Sequence, residues 1–235
     1  MSQGQANPNI AITGSSKVVS IFPGDYAACD EGSYFTSNLA ATASTAVSCS
    51  TQALGATNPA LAIINTATAN AAGTAPNIYI RYIRMLFTAV DTGLTTLQAV
   101  GSLDPLNPKL STLGTLTNTA VSTNSNSSVL SKATIYAGVN IASALSAPGR
   151  IVHAAVLTNS IPIVLDTYIM AFGEPVSTYN LIGTMSLVKS VVVPVPPVII
   201  APGWTYTLGL WGAVAAASAA TIQWDIGWIE RPSGQ

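Results

Sequence analysis

Near the C-terminus every second residue is large and apolar: Ile222, Trp224, Ile226 and Trp228, with Gln223, Asp225 and Gly227 between them. A period of two fits a β-strand with one buried face and does not fit a helix. The preceding run repeats the pattern, with Trp204, Tyr206, Leu208 and Leu210 on one side and Thr205, Thr207 and Gly209 on the other. These two strands are expected to pair as neighbours across the Ala213 to Ala220 loop. From about Asn58 onward the chain is a series of such short apolar runs broken by turn residues, the rhythm of a sandwich or barrel. The predicted strands are 60–65, 77–89, 133–141, 151–157, 162–172, 185–193, 204–211 and 221–231. Eight strands suit a jelly-roll-like antiparallel β-sandwich.

The punctuation adds detail. Pro194, Pro196 and Pro197 cannot donate ladder hydrogen bonds, so VPVPP is expected at a sheet edge or in an extended linker. Pro202-Gly203 then turns the chain into the Trp204 strand. Residues 101–131, with Asp104-Pro105, Asn107-Pro108 and the run STNSNSS, read as an exposed excursion. Residues 1–57 are rich in Ala, Ser, Thr and Asn and show no clear period, so they read as an N-terminal arm that packs on something else. Lys17 to Phe22 is a possible strand within it, and Phe22, Tyr26, Tyr34 and Phe35 are its candidate anchors. The sandwich domain is then 58–235.

Charge limits the partners. Only 7% of the 235 residues are charged, against roughly 25% in an ordinary soluble domain. A surface so short of charge has little self-repulsion and is expected to be buried in part against copies of itself. Eight Lys+Arg and nine Asp+Glu, spread singly, form no basic stripe that would neutralise a row of phosphates, so no direct nucleic-acid partner is expected. The apolar stretch from Leu208 to Ile222 falls short of the ~20 residues of a membrane span. The N-terminal MSQGQANPNIAITG lacks the basic and apolar regions of a signal peptide, which points to synthesis in the cytoplasm.

The residues of chemistry are sparse. His153 is the one histidine, placed by alternation with Ile151, Ala155 and Leu157 on one strand face, and no serine sits in a G-x-S-x-G turn. The acids, Asp25, Asp30, Glu31, Asp91, Asp104, Asp166, Glu174, Asp225 and Glu230, are isolated except for Asp30-Glu31, whose side chains diverge in an extended chain. Cys29 and Cys49 cannot alone build a zinc site, and a reducing compartment leaves them as thiols. Arg81 and Arg84, three apart on a strand, are expected on opposite faces, one of them reaching a partner or an internal acid. The sequon Asn126-Ser127-Ser128 carries little weight without secretion. No catalytic residue, cofactor or metal ligand is therefore predicted, and the chain reads as a non-enzyme.

The stretch VPPVIIAPGWTYTLGLWG, an Ala/Ser loop and then ATIQWDIGWIERP, with Trp228 and Glu230 in its last strand, resembles the closing strands of jelly-roll structural proteins of tailed bacteriophages. TNPALAIINTATANAAGTAPNIYIRYIRM looks like their opening. The resemblance spans about 58–232 and implies a capsid cement, decoration or minor head protein. Such a protein is often a homotrimer that contacts the major capsid protein, and its location is the virion. A particle-associated receptor- or glycan-binding protein is the alternative, favoured if an aromatic cluster is solvent-exposed.

Overall fold

The computed structural model describes residues 24–38, 45–49, 59–69, 73–90, 96–104, 110–112, 115–116, 120–138, 140–141, 150–158, 162–173, 190–212 and 218–232. Among these the chain is an all-β sandwich with one short helix, α1 (Gly24–Asp30). One sheet is built on β16 (Ser218–Pro232), the strand whose alternation is strictest. Its apolar positions Ile222, Trp224, Ile226 and Trp228 are all at most 1% exposed, so the predicted register is the one adopted. On one side β16 runs antiparallel to β4 (Pro76–Val90) over nearly the whole length of both. On its other side it pairs with β1 (Tyr34–Asn38) and β2 (Thr45–Cys49). The sheet continues from β4 through β12 (Thr167–Phe172) to β13 (Ser190–Val195), with β14 (Ile199–Ile200) also on β4 and β8 (Val121–Ser122) beyond β1.

The second sheet has the order β11 (Arg150–Thr158), β5 (Leu97–Asp104), β15 (Thr205–Gly212), β3 (Leu61–Asn65), β9 (Ala133–Ala137) and β7 (Thr115–Leu116). A small pair, β6 (Leu110–Thr112) with β10 (Asn140–Ile141), stands apart from both. Chain neighbours β3, β4 and β5 alternate between the two large sheets, as do β11 with β12 and β15 with β16. Each crossing buries one apolar face against the other sheet. The core between them holds Leu61, Ile63, Ile135, Tyr206 and Leu208 from one side and Ile83, Met85, Phe87, Tyr168, Trp224 and Trp228 from the other. At about 25 cal/mol per Å² of apolar burial, this interior supplies the main stabilising term.

Several expectations change. β15 and β16 do not pair but lie in opposite sheets. Two adjacent strands with one apolar face each bury those faces equally well by facing each other across the core, and alternation alone does not distinguish the two arrangements. β5 was not expected as a strand, because its sequence LQAVGSLD blends into the polar interval after it. The 133–141 run is broken at Gly138, whose φ of 64° ends β9. In the 162–172 run the strand begins only at Thr167, behind a turn in which Leu165 has φ 74°. The first part of the 185–193 run lies outside the described residues; its remainder is β13, which pairs parallel to β12 at the sheet edge. The VPVPP expectation fits that edge position. Within 1–57, β1 and β2 join the β16 sheet, and Phe35 stacks on Trp228 with centroids 6.1 Å apart. Lys17 to Phe22 lies outside the described residues.

Sheet positions with polar side chains are also buried. Thr205 and Thr207, on the face of β15 opposite the core, are 3% and 5% exposed, and Ser102 Oγ lies 2.7 Å from Thr207 Oγ1. Ala62 and Ile64 on β3 and Val100 on β5 are buried on the same side. The centre of this sheet is thus enclosed on both faces, which explains its unbroken LAIIN strand.

Candidate interaction surface

The polar residues sort into internal ties first. Glu230, 8% exposed, accepts hydrogen bonds from the Ser131 hydroxyl, from the Lys132 amide at 3.0 Å, from the Ala133 amide at 3.3 Å and from Trp228 Nε1 at 3.0 Å. It thereby fastens the start of β9 to the end of β16, one sheet to the other. Asn65 does the same beside it, at the C-terminal end of β3, where it pairs with Ala133. Its Nδ2 donates to the carbonyls of Pro76 and Ile200, each at 2.9 Å, and its Oδ1 accepts the Ala67 amide.

Arg81 and Arg84 depart from the expectation of opposite faces. Ile80 lies opposite Trp228 and Tyr82 opposite Gly227, so Arg81 is an extra residue, a bulge that resets the alternation. Arg81 reaches Asp25 at 3.0 Å and Arg84 reaches Asp225 at 3.6 Å, so both have internal acids. Tyr82 donates to Asp225 Oδ1 at 3.1 Å, and its ring crosses Gly227, where a Cβ would overlap it. Burial first, and then the facing Asp225, raise the Tyr82 phenol.

The remaining chemistry is dispersed. Asp166, fully buried, accepts the Ile163 amide at 3.0 Å and the Tyr168 hydroxyl at 3.3 Å. Glu31 pairs with Arg231 at 3.8 Å. Asp104 is buried on β5, while Asp91 and Glu174 lie outside the described residues. Among the described residues no group of three or more His, Cys, Asp or Glu side chains gathers. Cys29 and Cys49 are both free thiols, and burial pushes Cys49 up to about 12. His153 is buried in the core against Tyr206, but a register shift between Ile151 and His153 leaves Ile151 exposed, so the two do not share a face as the alternation predicts.

Among the described residues several large apolar groups face outward, and two sets of them sit on segments held by hydrogen bonds. One corner is formed by α1, β1 and residues 120–131. Thr123 bonds the Tyr34 carbonyl through its amide at 3.0 Å and Cys29 Sγ through its hydroxyl at 3.2 Å, and Asn124 Nδ2 donates to the Asp30 carbonyl at 3.0 Å. Asn124 also caps its own turn by accepting the Asn126 amide at 2.9 Å. Gly32, at φ 72°, leaves room for Ser127, whose side chain a Cβ there would overlap. The excursion expected over 101–131 is therefore, in its described last part, a docked one. Between α1 and this segment lies a cleft of about 410 Å³, lined by Tyr26, Cys29, Asp30, Thr123, Asn124 and Ser125. Tyr26 in α1 and Val121, Val129 and Leu130 in the 120–131 segment are 53 to 80% exposed. The sequon Asn126 lies exposed in the same segment.

A second outward group is the turn before β12, where Ile163, Val164 and Leu165 are exposed in succession. The apolar run 162–172 predicts a strand at these positions. The signal that finds them is Asp166, a turn-forming acid three residues after Ile163, whose carboxylate takes the Ile163 amide. Three adjacent exposed aliphatics with a left-handed leucine among them are costly for a free surface.

No family model matches the chain, and neither the curated proteins nor the solved structures contain a match. Among the described residues no helix is long and apolar enough to cross a membrane.

Proposed function

We propose that this chain is a non-enzymatic structural subunit of a virus particle, a capsid cement, decoration or shell protein that works by self-association and by contacts with neighbouring capsid proteins. The observation that carries this reading is the inversion of the usual surface. Charged side chains are few, and among the described residues Arg81 with Asp25, Arg84 with Asp225 and Arg231 with Glu31 are tied in pairs, while aliphatic side chains stand outward on hydrogen-bonded corners. Apolar groups held rigidly outward lose little entropy on docking and gain from burial, the economy of an assembly surface. A homotrimer is the simplest assembly, and the major capsid protein is the neighbour it would meet. The particle is then its location, after synthesis in the host cytoplasm.

The alternative, a receptor- or glycan-binding role, called for a cluster of exposed aromatic rings. Among the described residues Tyr26 is the single exposed large aromatic, and the Trp224 and Trp228 rings are buried, so this reading is the less supported.

Light scattering with native mass spectrometry tests the proposal. The expected result is a defined homo-oligomer at micromolar concentration that persists in 1 M salt, because apolar contacts are not screened. A monodisperse monomer in both low and high salt overturns it.

A further inference from the structure

One core residue is unlike the rest. His153 projects from β11 into the interior at 6% exposure, where hydrophobic side chains otherwise fill the space. Its Nε2 lies 2.7 Å from the Tyr206 hydroxyl. Its ring stacks on Tyr206 from β15, with centroids 6.0 Å apart, and meets Phe172 from β12 edge-on at 5.7 Å. It therefore touches both sheets. Gly101 on β5 lies opposite His153 in the ladder, and a Cβ there would overlap the imidazole, so the glycine is what makes room for the ring. His153 Nδ1 is buried without a hydrogen-bond partner among the described residues.

We propose that His153 is an acid-sensitive latch: as a neutral ring it holds the edge strand β11 against β12 and β15, and when protonated it frees that edge. Protonation places a positive charge on a ring whose second nitrogen has no acceptor. The groups that face it are Tyr206 from β15, Gly101 from β5 and Phe172 from β12, none of them anionic. β13, which also borders β11, carries no titratable side chain over Ser190–Val195. Arg150 on His153's own strand lies over the Trp204 ring at 5.5 Å and adds a like charge. Asp104 is three residues from Gly101, on the face of β5 that pairs with Thr205, away from the imidazole. A charged imidazole in this site is relieved only by reaching water. Because β11 is an edge strand, its departure leaves the rest of the sheet paired.

Burial lowers the imidazole from 6.5 to about 4. The sign follows: the open form binds the proton more readily, so the closed form loses stability as pH falls from about 6.5 to about 4 and loses no more below that. Between pH 6 and pH 4 the open-to-closed ratio should rise about fortyfold, from the two pKa values.

Hydrogen exchange on the whole chain tests this, with rates corrected for the intrinsic effect of pH. The expected result is that β11 amides lose protection by about fortyfold between pH 6 and pH 4, while amides of β16 hold. In His153→Gln, which keeps a donor for Tyr206 and cannot charge, the step should vanish. NMR titration of the wild-type imidazole gives a second measurement that needs no variant. A folded-state pKa near 6.5, or β11 protection unchanged down to pH 4, overturns the latch.

Discussion

Replacing Glu230 by alanine is the sharpest probe of how the two sheets are held. The carboxylate serves four donors. Without it the Ala133 amide keeps a second acceptor, the Ser131 hydroxyl at 3.0 Å. The Lys132 amide and the Trp228 indole N–H lose their acceptor, the latter on a ring 1% exposed. Each stranded buried donor costs about 1 to 3 kcal/mol, so Glu230→Ala should destabilise by about 4 kcal/mol. For a chain of this length that is about 8 to 16 °C in the melting midpoint. Glu230→Gln retains one acceptor oxygen and should lose about half as much. Circular dichroism melts of the three proteins decide it, with a Trp228→Phe background as a double-mutant cycle, in which the alanine cost should shrink because one stranded donor is gone. A Glu230→Ala midpoint within about 1 °C of wild type would refute the tie between β9 and β16.

Trp224→Ala should cost about 3 to 5 kcal/mol through lost burial and a cavity, while Gln223→Ala, on the outward face, should stay within about 0.5 kcal/mol in the isolated subunit; comparing their thermal midpoints checks the register, and a worse Gln223 variant would turn the strand over. Gly227→Ala should force the Tyr82 ring away from Asp225 at a cost of about 1 to 3 kcal/mol, and Gly227→Ala combined with Tyr82→Ala should recover part of that loss. Equal destabilisation with and without the Tyr82 ring would show that the clash is not the cause.

The sequence makes the core legible wherever one face of a strand is apolar and the other is not. β16, with Trp224 and Trp228 inward, is the clearest case, since a slip by one residue would expose four large side chains. β4 shows where this logic stops. Its alternation runs true through Ile78 and Ile80, but the bulge at Arg81 shifts the phase before Ile83, Met85 and Phe87. No residue in IYIRYIR announces a bulge, because it arises from the fit of two long strands and not from either alone. The partnership of β15 and β16 was illegible for a related reason, since alternation fixes which side chains face inward and leaves open which sheet a strand belongs to. The turn at Ile163 to Leu165 was hidden by its own hydrophobicity, which counted toward a strand until Asp166 was seen to hold it.

The same distinction bears on function. A catalytic site is legible when its residue types are rare and converge, and among the described residues most of the acids are engaged within the fold. Asp25, Asp225 and Glu31 answer Arg81, Arg84 and Arg231, while Asp166 and Glu230 answer buried amides and hydroxyls. Each such pair is local, and those at the surface add little to stability. Their consequence lies elsewhere, in what they remove from the surface. A neighbour approaching the Ile163 turn meets aliphatic groups on a hydrogen-bonded turn, and one approaching α1 meets aliphatic groups beside the exposed Asp30 and Glu31. Recognition on those terms depends on shape and on the match of apolar area, which reward a partner always presented in the same orientation. Copies of one chain in a symmetric assembly meet that condition, because a single surface that fits once fits at every equivalent position.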